Sequence, residues 1–157
     1  MRTSAESSRP GTERKNEMLF AIFGESCTGK STLAEKLAAK KNATIYTGKD
    51  YLRLAKNEAI ARKLFQKKIS EAITGENIIY VIAEKVHLDL LPEGCVRILV
   101  TADLTTIQER FAQRMRGTLP PPVAAMLERN HGMFDTVPHD HHVISGETDI
   151  EELIKRL

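Results

Sequence analysis

Tryptophan is absent, five Phe and three Tyr are the only other aromatics, and the formal net charge is only +2. So few rings offer little for stacking bases, and opposite charges interspersed along the chain make no dedicated basic surface, so nucleic acid is not an expected partner. No apolar run approaches the roughly 18 residues of a membrane span, and the polar first segment has no apolar signal region. No membrane partner is expected, and a cytoplasmic location is. Two cysteines, Cys27 and Cys95, make neither a disulfide framework nor a zinc pattern and read as reduced thiols. At 157 residues, with 41% hydrophobic and 28% charged positions, the chain suits one globular domain with one core.

What is present is concentrated in eight residues. Gly24-Glu25-Ser26-Cys27-Thr28-Gly29-Lys30-Ser31 completes the pattern G-x-x-x-x-G-K-[ST] directly after the apolar run Met18 to Phe23. Glycines let such a backbone curl until successive N–H groups face phosphate oxygens, the lysine reaches the outer phosphates, and the last hydroxyl suits a magnesium ion. The ligand expected here is a nucleoside triphosphate, ATP with Mg2+, held by residues 24–31 and Thr32. Ser31 to Lys40 is rich in helix formers, with Leu33 and Leu37 on one face, so the loop opens a helix whose N-terminus favours anions. Cys27 has no histidine near it in sequence to activate it, and its backbone is expected to matter more than its thiol.

The remaining chain alternates. Residues 1–17 are polar and turn-rich and read as a flexible tail, with the folded unit at 18–157. Strand candidates are Ala43 to Tyr46, Ile78 to Ala83, Val96 to Val100 and His142 to Ile144. Helices are expected over about Asp50–Ile73, ended by Gly75, then Leu104–Arg116, Val123–Asn130 and Glu147–Leu157. Alternating strands and helices imply right-handed parallel crossovers, hence an α/β three-layer sandwich with about five parallel strands and helices on both faces. Ligands in such sheets bind beyond the carboxyl ends of the strands, where chemistry-bearing residues are to be sought.

Beyond the second strand, Thr47 and Arg53 are candidate acceptor-binding residues, the guanidinium being suited to a bidentate phosphate contact. Beyond the third, Glu84 is placed to hold the magnesium water shell or orient a hydroxyl nucleophile. Arg110 and Arg114, four apart on one helix, with Arg116 before a Gly-Pro break, form the arginine cluster of a lid at about 110–130. Arg129, beyond that break, is a further candidate for the acceptor. Such cations neutralise a phosphoryl group in transit, and a closing lid excludes water. In His139-Asp140-His141-His142, His139 and His141 share a face of an extended segment, but no complementary Cys/His set accompanies them, which favours a plain lead-in to the last strand.

With these pieces in view, the chain resembles the nucleoside monophosphate kinase group of P-loop phosphotransferases, nearest to cytidylate kinase-like proteins, over about residues 18–157. Tyr80 to Glu84 through Leu91 to Ala102 looks like that group's passage from third to fourth strand. Thr47-Gly48 with Arg53 is similar to its monophosphate corner, and Val143-Ile144 with Ser145-Gly146 to the strand and loop beside the ATP base. The resemblance implies a P-loop kinase fold and transfer of the ATP γ-phosphoryl group to a small acceptor, with Lys30, Glu84, Arg110, Arg114 and Arg116 catalytic and Ser31 and Glu84 at the metal. The sequence departs from that group in a Thr-Gly to Arg spacing one residue longer and in Lys85-Val86 where Gly-Arg is usual. A phosphorylated or hydroxylated metabolite other than a nucleotide therefore stays open as acceptor. So does a regulatory P-loop ATPase, although the guanine-reading Asn-Lys-x-Asp and an Asp-x-x-Gly switch are both missing.

Overall fold

A computed structural model describes residues 18–71 and 77–157. The expected tail at 1–17, and the expected helix end at Ile73 and Gly75, lie outside those residues. Five strands form one sheet in the order β2-β3-β1-β4-β5, every neighbouring pair parallel. They are β1 (Leu19–Phe23), β2 (Thr44–Thr47), β3 (Ile78–Ile82), β4 (Val96–Thr101) and β5 (His141–Ile144).

The position of each strand follows from its composition. LFAIF and IIYVI are continuous apolar runs, and both are buried at every residue because β1 and β3 occupy the interior of the sheet with helices above and below. TIYT and HHVI carry polar residues and form the two edges. Alternate residues then go to opposite faces. Phe20 and Ile22 pack with Ile79, Val81, Ile98 and Val100 against α1 (Lys30–Lys41) and α5 (Ile150–Arg156), through Leu33, Leu37, Leu153 and Ile154. Leu19, Ala21 and Phe23 pack with Tyr80, Ile82 and Leu99 against α2 (Glu58–Glu71), whose Ala61, Phe65 and Ile69 recur every four residues along one stripe. This is the expected three-layer sandwich.

One expected helix is two. Asp50–Leu54 is a 3-10 helix, and α2 begins only at Glu58, after an interruption in which Asn57 Oδ1 accepts the Ile60 N–H at 3.1 Å as a helix cap. A second 3-10 helix, Lys85–Leu90, follows β3 in a segment for which the sequence suggested no element. The segment expected as a lid, about 110–130, takes in the end of α3 (Leu104–Arg114) and all of α4 (Pro121–Asn130), helices somewhat displaced from their expected bounds, with Pro121 at the first helical position, where its missing N–H costs nothing. A third apolar cluster joins these two helices to the phosphate loop. Cys27, Ala102, Ile107 and Leu127 are buried together, with Phe111 and Val123 against them.

Candidate active site

The loop between β1 and α1 has the geometry its glycines permit. Gly29 takes φ +102°, a left-handed conformation, and a Cβ on Gly24 would stand 2.1 Å from the Val100 carbonyl oxygen, so β4 passes too close for any side chain. Cys27 also adopts positive φ, 64°. Its thiol side is buried in the lid cluster while its carbonyl accepts a hydrogen bond from Arg110 Nη1 at 3.0 Å. Backbone and side chain of Cys27 therefore both serve the loop, and its burial suits packing.

Lys30 is 7% exposed, and its ammonium donates to the Glu25 carbonyl inside the loop. Burial pushes its pKa down from 10.5 to about 8, with Arg114 adding to the effect and Cys27 and Glu25 opposing it. An ammonium held in this way gains from an anionic ligand, because phosphate oxygens replace the solvation it has lost.

A cleft of about 840 Å³ opens over the loop. Ser26 to Thr32 line it, together with Thr47 and Glu84, which follow β2 and β3, and with Arg110 and Arg114 of α3. Arg110 also donates from Nη2 to Ser145 Oγ at 2.9 Å, tying the lid helix to the loop after β5 as well as to the phosphate loop. Ser145 and Gly146 line the same cleft, as do Gln113, Thr148 and Ile150, which sequence reasoning did not single out. His87 lines it too, from the unexpected 3-10 helix. No local pattern could have flagged His87, since it is buried only by the folding of that segment against Tyr51.

Five candidates lie elsewhere. Gly24 is behind the loop, fully enclosed by β4. Glu25 points away from the cleft: Oε2 accepts the Gly132 N–H at 2.9 Å and Oε1 pairs with His131 Nδ1 at 3.1 Å, anchoring the chain just after α4. Arg53 is 76% exposed and paired at 2.9 Å with Asp50, three residues before it. Arg116, at φ 65° where the lid turns, and Arg129, exposed at the end of α4, are not in the cleft lining. Of the arginines expected to form a lid cluster, Arg110 and Arg114 line the cleft. In the histidine run, His139 Nδ1 donates to the Val137 carbonyl and His142 Nε2 is hydrogen-bonded to Thr101 Oγ1, both at 2.8 Å. Among the described residues no group of three or more His, Cys, Asp and Glu is placed to hold a metal ion, and no helix is long and apolar enough to cross a membrane.

Beside Thr47 the turn is hydrogen-bonded to the sheet. The Gly48 N–H donates to the Val81 carbonyl at 2.9 Å, and the Tyr80 hydroxyl donates to the Gly48 carbonyl at 2.7 Å. Burial raises the Tyr80 pKa well above its ordinary value, which keeps that donor protonated.

No protein-family model matches the sequence, and no curated protein does. Solved structures do match. A sugar kinase from Janibacter sp. HTCC2649 superposes with a TM-score of 0.58 at 17% identity, covering 88% of this chain and 91% of its own. A gluconokinase from Sinorhizobium meliloti 1021 gives 0.58 at 11%, covering 88% of each chain. The shikimate kinase of Aquifex aeolicus gives 0.51 at 20%, covering 88% of this chain and 92% of its own. Identities this low bear on architecture alone, and they do not single out a cytidylate kinase-like subgroup. The chain has the fold of the P-loop kinases, an all-parallel five-stranded α/β sandwich with its phosphate loop after the central strand.

Proposed function

We propose that this protein is an ATP-dependent kinase of a small hydroxylated metabolite. The observation that carries the reading is one continuous cleft in which the Lys30 loop, the Arg110 and Arg114 pair and the Glu84 carboxylate all converge. The loop N–H groups and the start of α1 bind the triphosphate, and Lys30 reaches its outer phosphates. In transfer, the bond from the γ-phosphorus to the β-bridging oxygen breaks as a bond to the acceptor oxygen forms. The acceptor's proton leaves toward Glu84 and solvent, while Arg110 and Arg114 neutralise the moving charge. Ser31 and Glu84 present hard oxygen donors of the kind magnesium prefers alongside its own waters, and they are the residues that would hold it. When bound, that ion neutralises triphosphate charge.

The acceptor is proposed to be an alcohol because Glu84, which can receive a hydroxyl proton, lines the cleft, whereas Arg53 does not. A nucleoside monophosphate, as in the cytidylate-like reading, needs a guanidinium or ammonium there, and Arg53 is turned out to Asp50. The test is ATP and magnesium with a panel of sugar acids, shikimate-like alcohols, nucleosides and nucleoside monophosphates, scored for phosphorylated product. Product from a sugar acid or cyclic alcohol is expected. ADP release that proceeds equally without any acceptor would replace this reading with a regulatory ATPase.

A further inference from the structure

His87 is 4% exposed, and its Nδ1 is buried with no hydrogen-bond partner among the described residues. The ring meets Tyr51 edge-on at 6.1 Å between centroids. On its other side Cε1 and Nδ1 lie 3.4 and 3.5 Å from where a Cβ on Gly48 would stand. A buried polar atom left unpaired costs about 1–3 kcal/mol, and an apolar ring of the same shape would avoid that cost. Yet the same imidazole lines the cleft, between Glu84 and the pinned Gly48 turn.

Neutral imidazole offers one donor and one acceptor, which matches a hydroxyl that can both give and take a hydrogen bond. A phosphate oxygen only accepts, so it would serve one of the two ring nitrogens at most. Resting on the kinase reading above, we propose that His87 orients the acceptor, and that the acceptor is a small polyhydroxylated molecule hydrogen-bonded through this ring. Seating it supplies the missing partner of the imidazole, through rotation about Cβ–Cγ, a torsion with broad preferences.

The experiment compares wild type, His87→Phe and His87→Asn as full chains with ATP and magnesium, using D-gluconate, shikimate and cytidine monophosphate as probes. Phe keeps a flat ring without polar atoms, and Asn keeps a polar atom near the position of Nδ1. The expected result is transfer to gluconate or shikimate by wild type, and an acceptor KM raised about 10- to 100-fold in His87→Phe, one to two decades at about 1.4 kcal/mol each. The KM for ATP stays unchanged, and the thermal midpoint equals or exceeds that of wild type, because an unpaired atom has been removed. His87→Asn falls between the two, and it carries the same comparison should the Phe variant not fold. A merely structural histidine would move the thermal midpoint and leave the acceptor KM alone. That outcome overturns the assignment while leaving the kinase reading intact, as does cytidine monophosphate being the substrate phosphorylated. Acceptor-independent hydrolysis by wild type, with no probe phosphorylated, overturns both.

Discussion

Replacing Lys30 by Met keeps the length of the side chain and removes a charge that the fold holds at a cost. The ammonium of the unfolded chain titrates near 10.5 and that of the folded chain at about 8. At about 1.36 kcal/mol per pKa unit, the buried charge costs the empty protein about 3 kcal/mol near neutrality. Between about pH 8 and 10.5 the unfolded chain binds more protons than the folded one, so wild-type stability rises with pH across that window. Below about pH 8 both states are charged and the whole penalty remains. Lys30→Met has no such dependence, but it loses the hydrogen bond to the Glu25 carbonyl, about 1.5–3 kcal/mol for a charged donor, so the two proteins should be nearly equal in stability at pH 7. Wild type should then gain on the variant by about 3 kcal/mol toward pH 10.5, about 2–4 °C of melting temperature for each kcal/mol in a chain of this size. Urea unfolding of both proteins at intervals from pH 7 to 10 measures the gap. A gap that stays constant over that range refutes the claim that burial penalises this ammonium. The same reasoning requires triphosphate binding to restore the proton, so calorimetry at about pH 9 in two buffers of different ionisation enthalpy should record proton uptake by wild type and none by Lys30→Met.

Gly24→Ala should destabilise by about 1–3 kcal/mol or more, because its Cβ would press on the Val100 carbonyl, which cannot yield without disturbing β4; wild-type midpoints in urea would contradict the close approach. Arg110→Lys should lower kcat by about 10³-fold, since one ammonium cannot hold Cys27 O and Ser145 Oγ in a fork while also meeting a phosphoryl group. Arg116→Ala and Arg129→Ala, outside the cleft lining, should leave kcat unchanged, and a comparable loss in either would return it to the lid machinery.

The phosphate loop, the alternation of strands and helices and the layered sandwich were all readable from residues 18–157, because each rests on local periodicity or on a pattern of fixed spacing. What sequence could not supply is competition between partners. Arg53 stands where a phosphate-binding arginine belongs, but Asp50 is three residues away on the same short helix and takes it. Glu25 reads as one more residue of the cradle, and its carboxylate instead holds the Gly132 N–H, 107 positions along the chain. The split between Leu54 and Glu58 was hidden because helix formers continue through it, and only the side chain of Asn57, capping Ile60, marks the restart. His87 was invisible for a related reason. Its isolation is a property of Tyr51 and Gly48, which join it only once β2 and β3 are paired.

The bond from Tyr80 to Gly48 ties the part of the cleft beside Thr47 to the interior of the sheet. β3 lies directly between β2 and β1, so the turn after β2 and the phosphate loop after β1 stand two strand spacings apart on a common frame, at about 4.8 Å per spacing. The separation of the two is thereby dictated by backbone pairing. Residues 85–90 extend beyond that frame as a short 3-10 helix in which His87 and Leu90 are buried, so a change of side chain there is felt by the cleft and by the core together.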